Sequence, residues 1–383
     1  MISLVKNLNF TAEKLNLGGK ISFYLGSADE KVCEIASKLT PYAKVLVLSS
    51  EKNFFSRGVE TILKLKKLRL RPSSYIINDK NLSVETLSGL FNFCEDVRLV
   101  ISLDDTAHQS ASYFATIKNI AAIYSLSGEL DFAFSTRLLI RNGDNLESFS
   151  CDNVRHIVLS SDNLPKHCEV FASTVAKAVS LTDYYFRKTL LGQAPSKYFE
   201  SAKRAVKECL NCKDFVGLLE KAITLRLADF REGGEFFFGS APTIATRLLD
   251  KSGKNTSSAE LLCALYLNAF YSGEFSEDLS LFDYLSGVKN FCALSGVNLS
   301  VATKGVLKKL QTLKNRDYKS ALERAKLETN DCNLSEKEYR TYLELGGTYA
   351  FNGDEVISAV KVAPFAPFIL NALDAVFKSG IVL

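Results

Sequence analysis

The chain has 383 residues, of which 47% are apolar and 23% charged, a composition that excludes a disordered or fibrous protein. The net charge of +4 is spread along the chain, so neither nucleic acid nor an acidic membrane surface is implied as a partner. No signal peptide or membrane span is visible in the sequence, and we expect a cytoplasmic protein of two or three domains.

Short apolar runs alternate with amphipathic stretches through the first 160 or so residues. Buried strands that alternate with helices indicate a parallel sheet with crossover connections. The pattern predicts strands at 21–25, 44–50, 74–77, 98–103, 120–124, 137–141 and 156–160, with helices between them such as 29–39 and 83–93. The basic run 64–71 is predicted as the solvated face and end of a helix, and a phosphate site is the alternative.

The pattern changes after Pro165, where apolar residues recur at helical spacing. We therefore predict two domains, an α/β domain of residues 1–162 and an all-helical domain of residues 163–383. The predicted helices of the second domain include 173–188, 196–210, 216–230, 241–249, 258–271, 303–313 and 364–383.

The nine cysteines are odd in number and scattered, which is typical of small core residues in a reducing compartment. Cys209 and Cys212 form the only close pair. A structural zinc ion needs four ligands, so we interpret this pair as two thiols near a helix end.

One stretch of the sequence has the residue spacing of a known motif. From Asp229 it reads D-F-R-E-G-G-E-F-F-F-G-S-A-P-T-I-A-T-R-L-L-D, and Ser258-Ala259-Glu260 follows. It resembles the signature D-x-R-E-x-G-x-x-x-x-x-N-F-G-H-T-x-G-H-A-x-E … H-G-E-A-V of the dehydroquinate synthase-like superfamily. That superfamily holds dehydroquinate synthases, glycerol-1-phosphate and glycerol dehydrogenases, and iron-containing alcohol dehydrogenases. The resemblance implies a Rossmann-like α/β domain, then an all-α domain, with the active-site cleft between them.

The resemblance also locates the positions of the family's metal ligands. In the family's dehydrogenases an aspartate and two histidines hold Zn²⁺ or Fe²⁺, which polarises the substrate oxygen. These three slots fall here on Ser173, Thr243 and Ser258. Neutral hydroxyl groups rarely bind zinc or iron when no stronger ligand is present, so we expect no metal.

The three histidines of the chain, His108, His156 and His167, occupy none of these slots. We expect them to be packed or surface residues. The run His167-Cys168-Glu169 is the best candidate for a relocated ligand set, although three adjacent residues cannot easily all face one metal.

The family's nucleotide motif is altered in the same way. After a strand the family has G-G-G-x-x-x-D, whose backbone amides approach the pyrophosphate of NAD(P). Here the triplet is Asp104-Asp105-Thr106 and the later acid falls on Ser110. Two carboxylates would face a dianion, so no NAD(P) is expected. A plain structural interpretation is that Asp104 or Asp105 caps a helix starting near Ala107.

The sequence thus favours a catalytically degenerate family member, a pseudoenzyme that acts as a partner subunit or binds a small molecule in the interdomain cleft. Its protein partner is unknown, and a homo-oligomer is a further option. The alternative is an active NAD(P)- and zinc- or iron-dependent polyol-phosphate or alcohol dehydrogenase with a divergent site. A third hypothesis is different chemistry that uses Asp104, Asp105, His167 or Glu260 as acid or base.

Overall fold

The computed structural model describes residues 1–237, except 79–81, 93–94, 143–144, 161–163, 166 and 191–193. Within these residues, Met1–Val170 and Lys213–Gly233 form one compact unit, and Phe171–Cys212 belongs to a second. The domain boundary after residue 162 stays a prediction. The helices predicted at 241–249, 258–271, 303–313 and 364–383 lie outside the described residues.

The described elements up to residue 159 are strands and helices that alternate over much of this range, and helices follow. They are α1 (Ile2–Lys14), β1 (Ile21–Leu25), α2 (Ala28–Leu39), β2 (Lys44–Ser49), α3 (Glu51–Asn53), a π-helical turn (Phe54–Gly58), α4 (Val59–Lys67), β3 (Arg71–Ile76), β4 (Leu82–Ser83), α5 (Val84–Asn92), β5 (Val97–Ser102), α6 (Asp105–Lys118), β6 (Ala121–Ser125), α7 (Leu130–Phe134), β7 (Arg137–Asn142), β8 (Asn145–Ser150), β9 (Arg155–Leu159), α8 (His167–Leu190), α9 (Phe199–Asn211) and α10 (Phe215–Arg231).

Six of the strands form one parallel sheet in the order β1-β9-β6-β5-β2-β3. Most residues of the four inner strands are apolar and buried, as expected where helices cover both faces of a parallel sheet. On one face α2 packs against α4, and the core includes Val32, Val47, Leu65, Ile101 and Val158. The predicted parallel sheet with crossover helices is confirmed.

The direction of the crossovers reverses between β2 and β5. The chain leaves β2 toward β3 on one side, and it leaves β5 toward β6 on the other. Because both crossovers are right-handed, the helices that follow the two strands lie on opposite faces. Open α/β sheets bind their ligands at the carboxyl ends of the strands that flank such a switch point.

A second, three-stranded sheet of order β4-β7-β8 was not predicted. β7 and β8 pair antiparallel, and the Asn142-Gly143 dipeptide, which begins at the last residue of β7, is a hairpin signal in the sequence. The predicted helix 83–93 begins one residue later, at Val84. Ser83 instead pairs with Arg141 in the sheet, and its hydroxyl accepts a hydrogen bond from the Thr86 amide at 3.2 Å.

The N-terminal helix α1, also not predicted, covers the outer strand β1. It buries Leu4, Leu8 and Ala12 at helical spacing. The amide group of Asn9 donates to the carbonyl of Phe23 at 3.0 Å and accepts from its N–H at 2.8 Å. Asn9 thereby satisfies backbone groups that an edge strand otherwise leaves open. Across the described residues, no helix combines the length and apolar character needed to cross a bilayer.

Candidate functional site

Asp104 connects the loops that follow β5 and β2, the two strands at the switch point. It follows β5 by two residues and occupies the N-cap position of α6, with an extended backbone. Its carboxylate does not cap the helix as one interpretation predicted. Instead Oδ2 accepts hydrogen bonds from the backbone N–H of Ser50 at 2.9 Å and from its hydroxyl at 3.0 Å. Since Ser50 directly follows β2, the two loops are joined across the switch point.

The Asp104 carboxyl group is only 1% exposed, which sets its electrostatics. Burial raises the pKa of Asp104, and the charge of the neighbouring Asp105 raises it further, whereas the hydrogen bonds from Ser50 lower it. The second oxygen, Oδ1, has no hydrogen-bond donor among the described residues. Burial therefore makes the charged form of this carboxyl group less favourable than in water, and another negative charge at this point would make it less favourable still.

Asp105, the first residue of α6, is directed to the opposite side, toward the loop after β6. The backbone N–H of Glu129 lies 3.4 Å from its Oδ2. Gly128 has φ +58, and a Cβ atom there would lie 2.6 Å from the same oxygen. Glycine suits this position because it adopts a positive φ without strain and leaves room for the Asp105 carboxylate. Asp104 and Asp105 together thus connect the end of β5 to the loops on both sides.

Arg57 lies in the π-helical turn Phe54–Gly58 and contacts residues near the carboxyl ends of β1, β5 and β6. Its Nε and Nη2 atoms donate to Oδ1 of Asp29 at 3.0 and 2.9 Å, at the start of α2. It also reaches the carbonyl of Leu103 at 3.4 Å and the hydroxyl of Ser125 at 3.2 Å. The guanidinium group therefore lies across the carboxyl ends of β5 and β6, where most of its side chain is shielded from solvent.

The other two residues of the altered nucleotide motif lie on α6 itself. Thr106 is half-buried in its first turn, and Ser110 is buried in its second. Ser102, the last residue of β5, holds the backbone of the loop between β5 and α6. Its hydroxyl donates to the carbonyl of Asp104 at 3.2 Å. The same hydroxyl lies 2.7 Å from Nδ1 of His108. The loop is thus held by buried polar contacts as well as by its charged side chains.

Sequence reasoning identified the two aspartates but not the residues that surround them. These residues come from the loops or helix starts after β1, β2 and β6, so only the order of strands brings them together. A usable signal was their position, because each lies at or after the carboxyl end of a predicted strand. The missed residues are Asp29, Ser50, Arg57 and Gly128.

The pyrophosphate of NAD(P), which the resemblance puts at the start of α6, does not fit the residues present. Asp104 and Asp105 stand where glycine amides would meet it, and their carboxylates are already engaged by neighbouring loops. Like charges 4 Å apart repel by about 4 kcal/mol at an effective dielectric of about 20. That exceeds the roughly 1 kcal/mol of one missing hydrogen bond.

Of the three positions that the resemblance assigns to metal ligands, only Ser173 is described. It lies on α8 and is 7% exposed, and its neutral hydroxyl is a weak ligand for zinc or iron. Thr243 and Ser258 lie outside the described residues, as does Glu260. Within the described part of the chain, no three His, Cys, Asp or Glu side chains come close enough to hold a metal ion. The loss of all three ligands therefore stays a prediction.

The histidines have the packed or surface positions expected of them. His108 is fully buried and packs edge-on against Tyr124, with ring centroids 5.3 Å apart. His156 lies 3.1 Å from the hydroxyl of Tyr24, and burial lowers its pKa. His167 is exposed at the first residue of α8.

The cysteines whose surroundings are described also match expectation. Cys33, Cys151 and Cys209 are buried free thiols, and Cys212 follows the last residue of α9. Burial raises the pKa of Cys33 to about 12 and that of Cys151 to about 11. Such thiols stay protonated at neutral pH and act as small apolar residues.

Comparison with known proteins assigns the fold. No protein-family model matches the sequence, and no curated protein matches it. Among solved structures, an iron-containing alcohol dehydrogenase from Corynebacterium glutamicum aligns with TM-score 0.55 and 13% identity, covering 93% of this chain and 94% of that one. The chain has the fold of the iron-containing alcohol dehydrogenases.

Two further structures agree with this assignment. A glycerol dehydrogenase from Schizosaccharomyces pombe aligns with TM-score 0.54 and 14% identity over 95% of this chain and 92% of that one. A maleylacetate reductase from Agrobacterium tumefaciens gives 0.53 and 14% over 91% and 95%. The predicted resemblance to the dehydroquinate synthase-like superfamily is thus confirmed at the level of the fold. Identities this low carry no activity from these proteins to this chain.

Proposed function

We propose that this chain is a catalytically degenerate member of the dehydroquinate synthase-like superfamily that works by binding a partner rather than by hydride transfer. The observation that carries the proposal is the buried carboxylate of Asp104, which bridges to Ser50 across the switch point of the sheet. In this fold class that point receives the ligand. Here it is occupied by the chain's own side chains.

The charges at this edge support the same conclusion. Asp104 and Asp105 follow β5, and Asp29 lies in the first turn of the helix after β1. Three carboxylates therefore stand where a dianionic ligand would need positive or neutral groups. Arg57 is the cation among them, and its guanidinium group is already bound to Asp29. An anion would have to break this pair and also approach the two other acids.

The first test is the metal content and activity of the full chain, purified without chelator. We expect no bound zinc or iron, none taken up on addition, and no absorbance change at the nicotinamide band with glycerol phosphate, dihydroxyacetone phosphate or glycerol. Close to one zinc or iron per chain, together with turnover that a chelator abolishes, would refute the proposal.

The second candidate is an active NAD(P)- and metal-dependent alcohol or polyol-phosphate dehydrogenase. The observation in its favour is that structural neighbours covering more than nine-tenths of the chain are named alcohol and glycerol dehydrogenases. It requires Asp104 and Asp105 to release their present partners. The metal and activity measurements separate the two candidates. A cytoplasmic location is part of either proposal.

A further inference from the structure

A short link after α9 carries the chain from the second compact unit back to the first. The second unit includes Phe171–Cys212, and Lys213 begins the next segment of the first. Cys212 is the C-cap of α9, with φ -65 and ψ 131. Asp214 caps the start of α10, where its Oδ1 accepts a hydrogen bond from the N–H of Gly217 at 2.7 Å. The link therefore consists of Cys212 and Lys213, with a helix end on each side.

The link begins within one helical turn of a second cysteine, Cys209. The N–H of Cys212 donates to the carbonyl of Cys209 at 3.2 Å. The backbone is helical up to the φ angle of Cys212, and helical residues three apart have Cα atoms about 5 Å apart, which suits a disulfide. Their Cβ atoms lie about 5–6 Å apart, whereas a disulfide holds them at about 3.5–4.5 Å. A disulfide between the two cysteines is therefore within reach, and it tightens the last turn of α9 by about 1–2 Å.

The two thiols differ in their access to solvent. Cys209 is fully buried, whereas Cys212 is half-buried. An oxidant in solution therefore meets Cys212 first, and Cys209 is the neighbour that can react with the oxidised sulfur. No other cysteine lies within ten residues of Cys33 or Cys151, and both are buried, so neither has such a neighbour in sequence.

We propose that Cys209 and Cys212 form a reversible disulfide when the protein meets a peroxide, and that this disulfide changes the conformation of the link. The Cys212 sulfur takes one peroxide oxygen and becomes a sulfenic acid, while the other oxygen leaves as water or an alcohol. The Cys209 sulfur then bonds to the Cys212 sulfur, and the hydroxyl group leaves as water. The two thiols lose two electrons in total, and the peroxide gains them. The inference goes beyond the proposed function and does not depend on it.

The tightening of the last turn makes the disulfide both informative and reversible. Cys212 belongs to the disulfide and to the link, so a change in its backbone passes directly to Lys213 and to the cap at Asp214. A disulfide that closes under strain is reduced more easily by thiol–disulfide exchange. In a reducing compartment such bonds are transient and serve as redox sensors.

Zinc binding is the other chemistry of a C-x-x-C pair, and the structure argues against it. A structural zinc ion takes four ligands. In the part of the chain that the structure describes, no third His, Cys, Asp or Glu side chain joins this pair in a group that could hold a metal. Two thiols one turn apart are sufficient for a disulfide.

The test uses the folded full chain, first reduced and then exposed to hydrogen peroxide. Remaining thiols are alkylated, and the protein is digested with trypsin without reduction. Cleavage after Lys207 and Lys213 gives a peptide, 208–213, that contains both cysteines and no other. Mass spectrometry of this peptide compares wild type with Cys209→Ala, Cys212→Ser and the control Cys33→Ala. Hydrogen exchange of the backbone amides of 212–214 compares the reduced and oxidised proteins.

In wild type and in Cys33→Ala we expect the peptide to lose two hydrogen atoms, and dithiothreitol to restore them. Cys209→Ala instead gives a sulfenic acid at Cys212 that dimedone traps, and Cys212→Ser gives no product. Amide exchange at 212–214 changes by about threefold or more on oxidation of wild type, and it does not change in Cys212→Ser. Two alkylated cysteines after peroxide treatment, a disulfide from Cys212 to a different cysteine, or exchange that is the same in the reduced and oxidised proteins would overturn the inference.

Discussion

Buried charged residues lie at both the amino ends and the carboxyl ends of the strands in the main sheet, which are called here its amino edge and its carboxyl edge. The partners of these residues differ between the two ends. At the amino edge, Arg155 starts β9 and is fully buried, and it donates to the carbonyls of Ala133 at 2.8 Å and Ser135 at 2.6 Å. Its guanidinium group also lies 4.8 Å from the centre of the Phe230 ring. These partners are neutral groups of the fold. At the carboxyl edge, acids and an arginine bind one another where this fold class binds its ligand.

The position of a buried polar network in the fold therefore decides whether packing or ligand binding explains it. The Arg155 contacts support loops on the side of the sheet that carries no ligand chemistry, so packing explains them. The contacts of Asp104 and Arg57 close the side where ligands bind in related sheets, so they bear on function. The expected effects of substitution differ accordingly.

The largest expected effect is at the amino edge. Arg155→Met leaves the carbonyls of Ala133 and Ser135 without their donor inside the protein, and we expect a loss of about 3 kcal/mol in the free energy of unfolding. Urea denaturation followed by circular dichroism measures it. Arg69→Met, at an exposed arginine, is the control and changes stability by no more than about 0.5 kcal/mol. Equal losses in both variants would show that Arg155 has no special structural role.

The next effect is at the carboxyl edge. Gly128→Ala puts a methyl group 2.6 Å from Oδ2 of Asp105 in a backbone conformation that disfavours alanine, and we expect a cost of about 2 kcal/mol. In an Asp105→Ala background the steric part disappears and the cost falls to about 1 kcal/mol. Thermal unfolding of the four proteins completes the cycle. An unchanged cost in the second background would mean that Asp105 does not contact this loop.

The smallest expected change is in the pH dependence of stability. Because the folded-state pKa of Asp104 is raised, the native state binds more protons than the unfolded state between the two pKa values. Stability from this group is therefore lost as pH rises through that window. Asp104→Asn removes the trend, and Ser50→Ala steepens it because it removes a hydrogen bond that lowers the pKa. Urea midpoints across the acidic range measure the slope, and identical slopes in all three proteins would contradict the assignment.

The core of the fold was predictable because its strands are continuous apolar runs. β2 reads Lys-Val-Leu-Val-Leu-Ser, and such a run has few alternatives to a buried strand. β8 was missed because its sequence, Asn-Leu-Glu-Ser-Phe-Ser, is rich in polar residues. α1 was not predicted, although Leu4, Leu8 and Ala12 recur at helical spacing.

The candidate site was predictable only in part. The resemblance located Asp104 and Asp105 by their distance from a strand, and that position is local to the sequence. Ser50 and Arg57 are separated from them by about fifty residues, and their role follows from β2 lying next to β5. No local pattern encodes that neighbourhood, since strand order is set by the packing of the whole sheet.

Titration of the full chain with NADH and NADPH by isothermal calorimetry tests the central claim most directly. The comparison protein is Asp104→Gly/Asp105→Gly/Thr106→Gly, which removes both carboxylates at the start of α6. The account predicts no saturable binding to the wild-type chain, and tighter binding, if any, to the glycine variant. Saturable binding of one dinucleotide per wild-type chain, unimproved in the glycine variant, would contradict it.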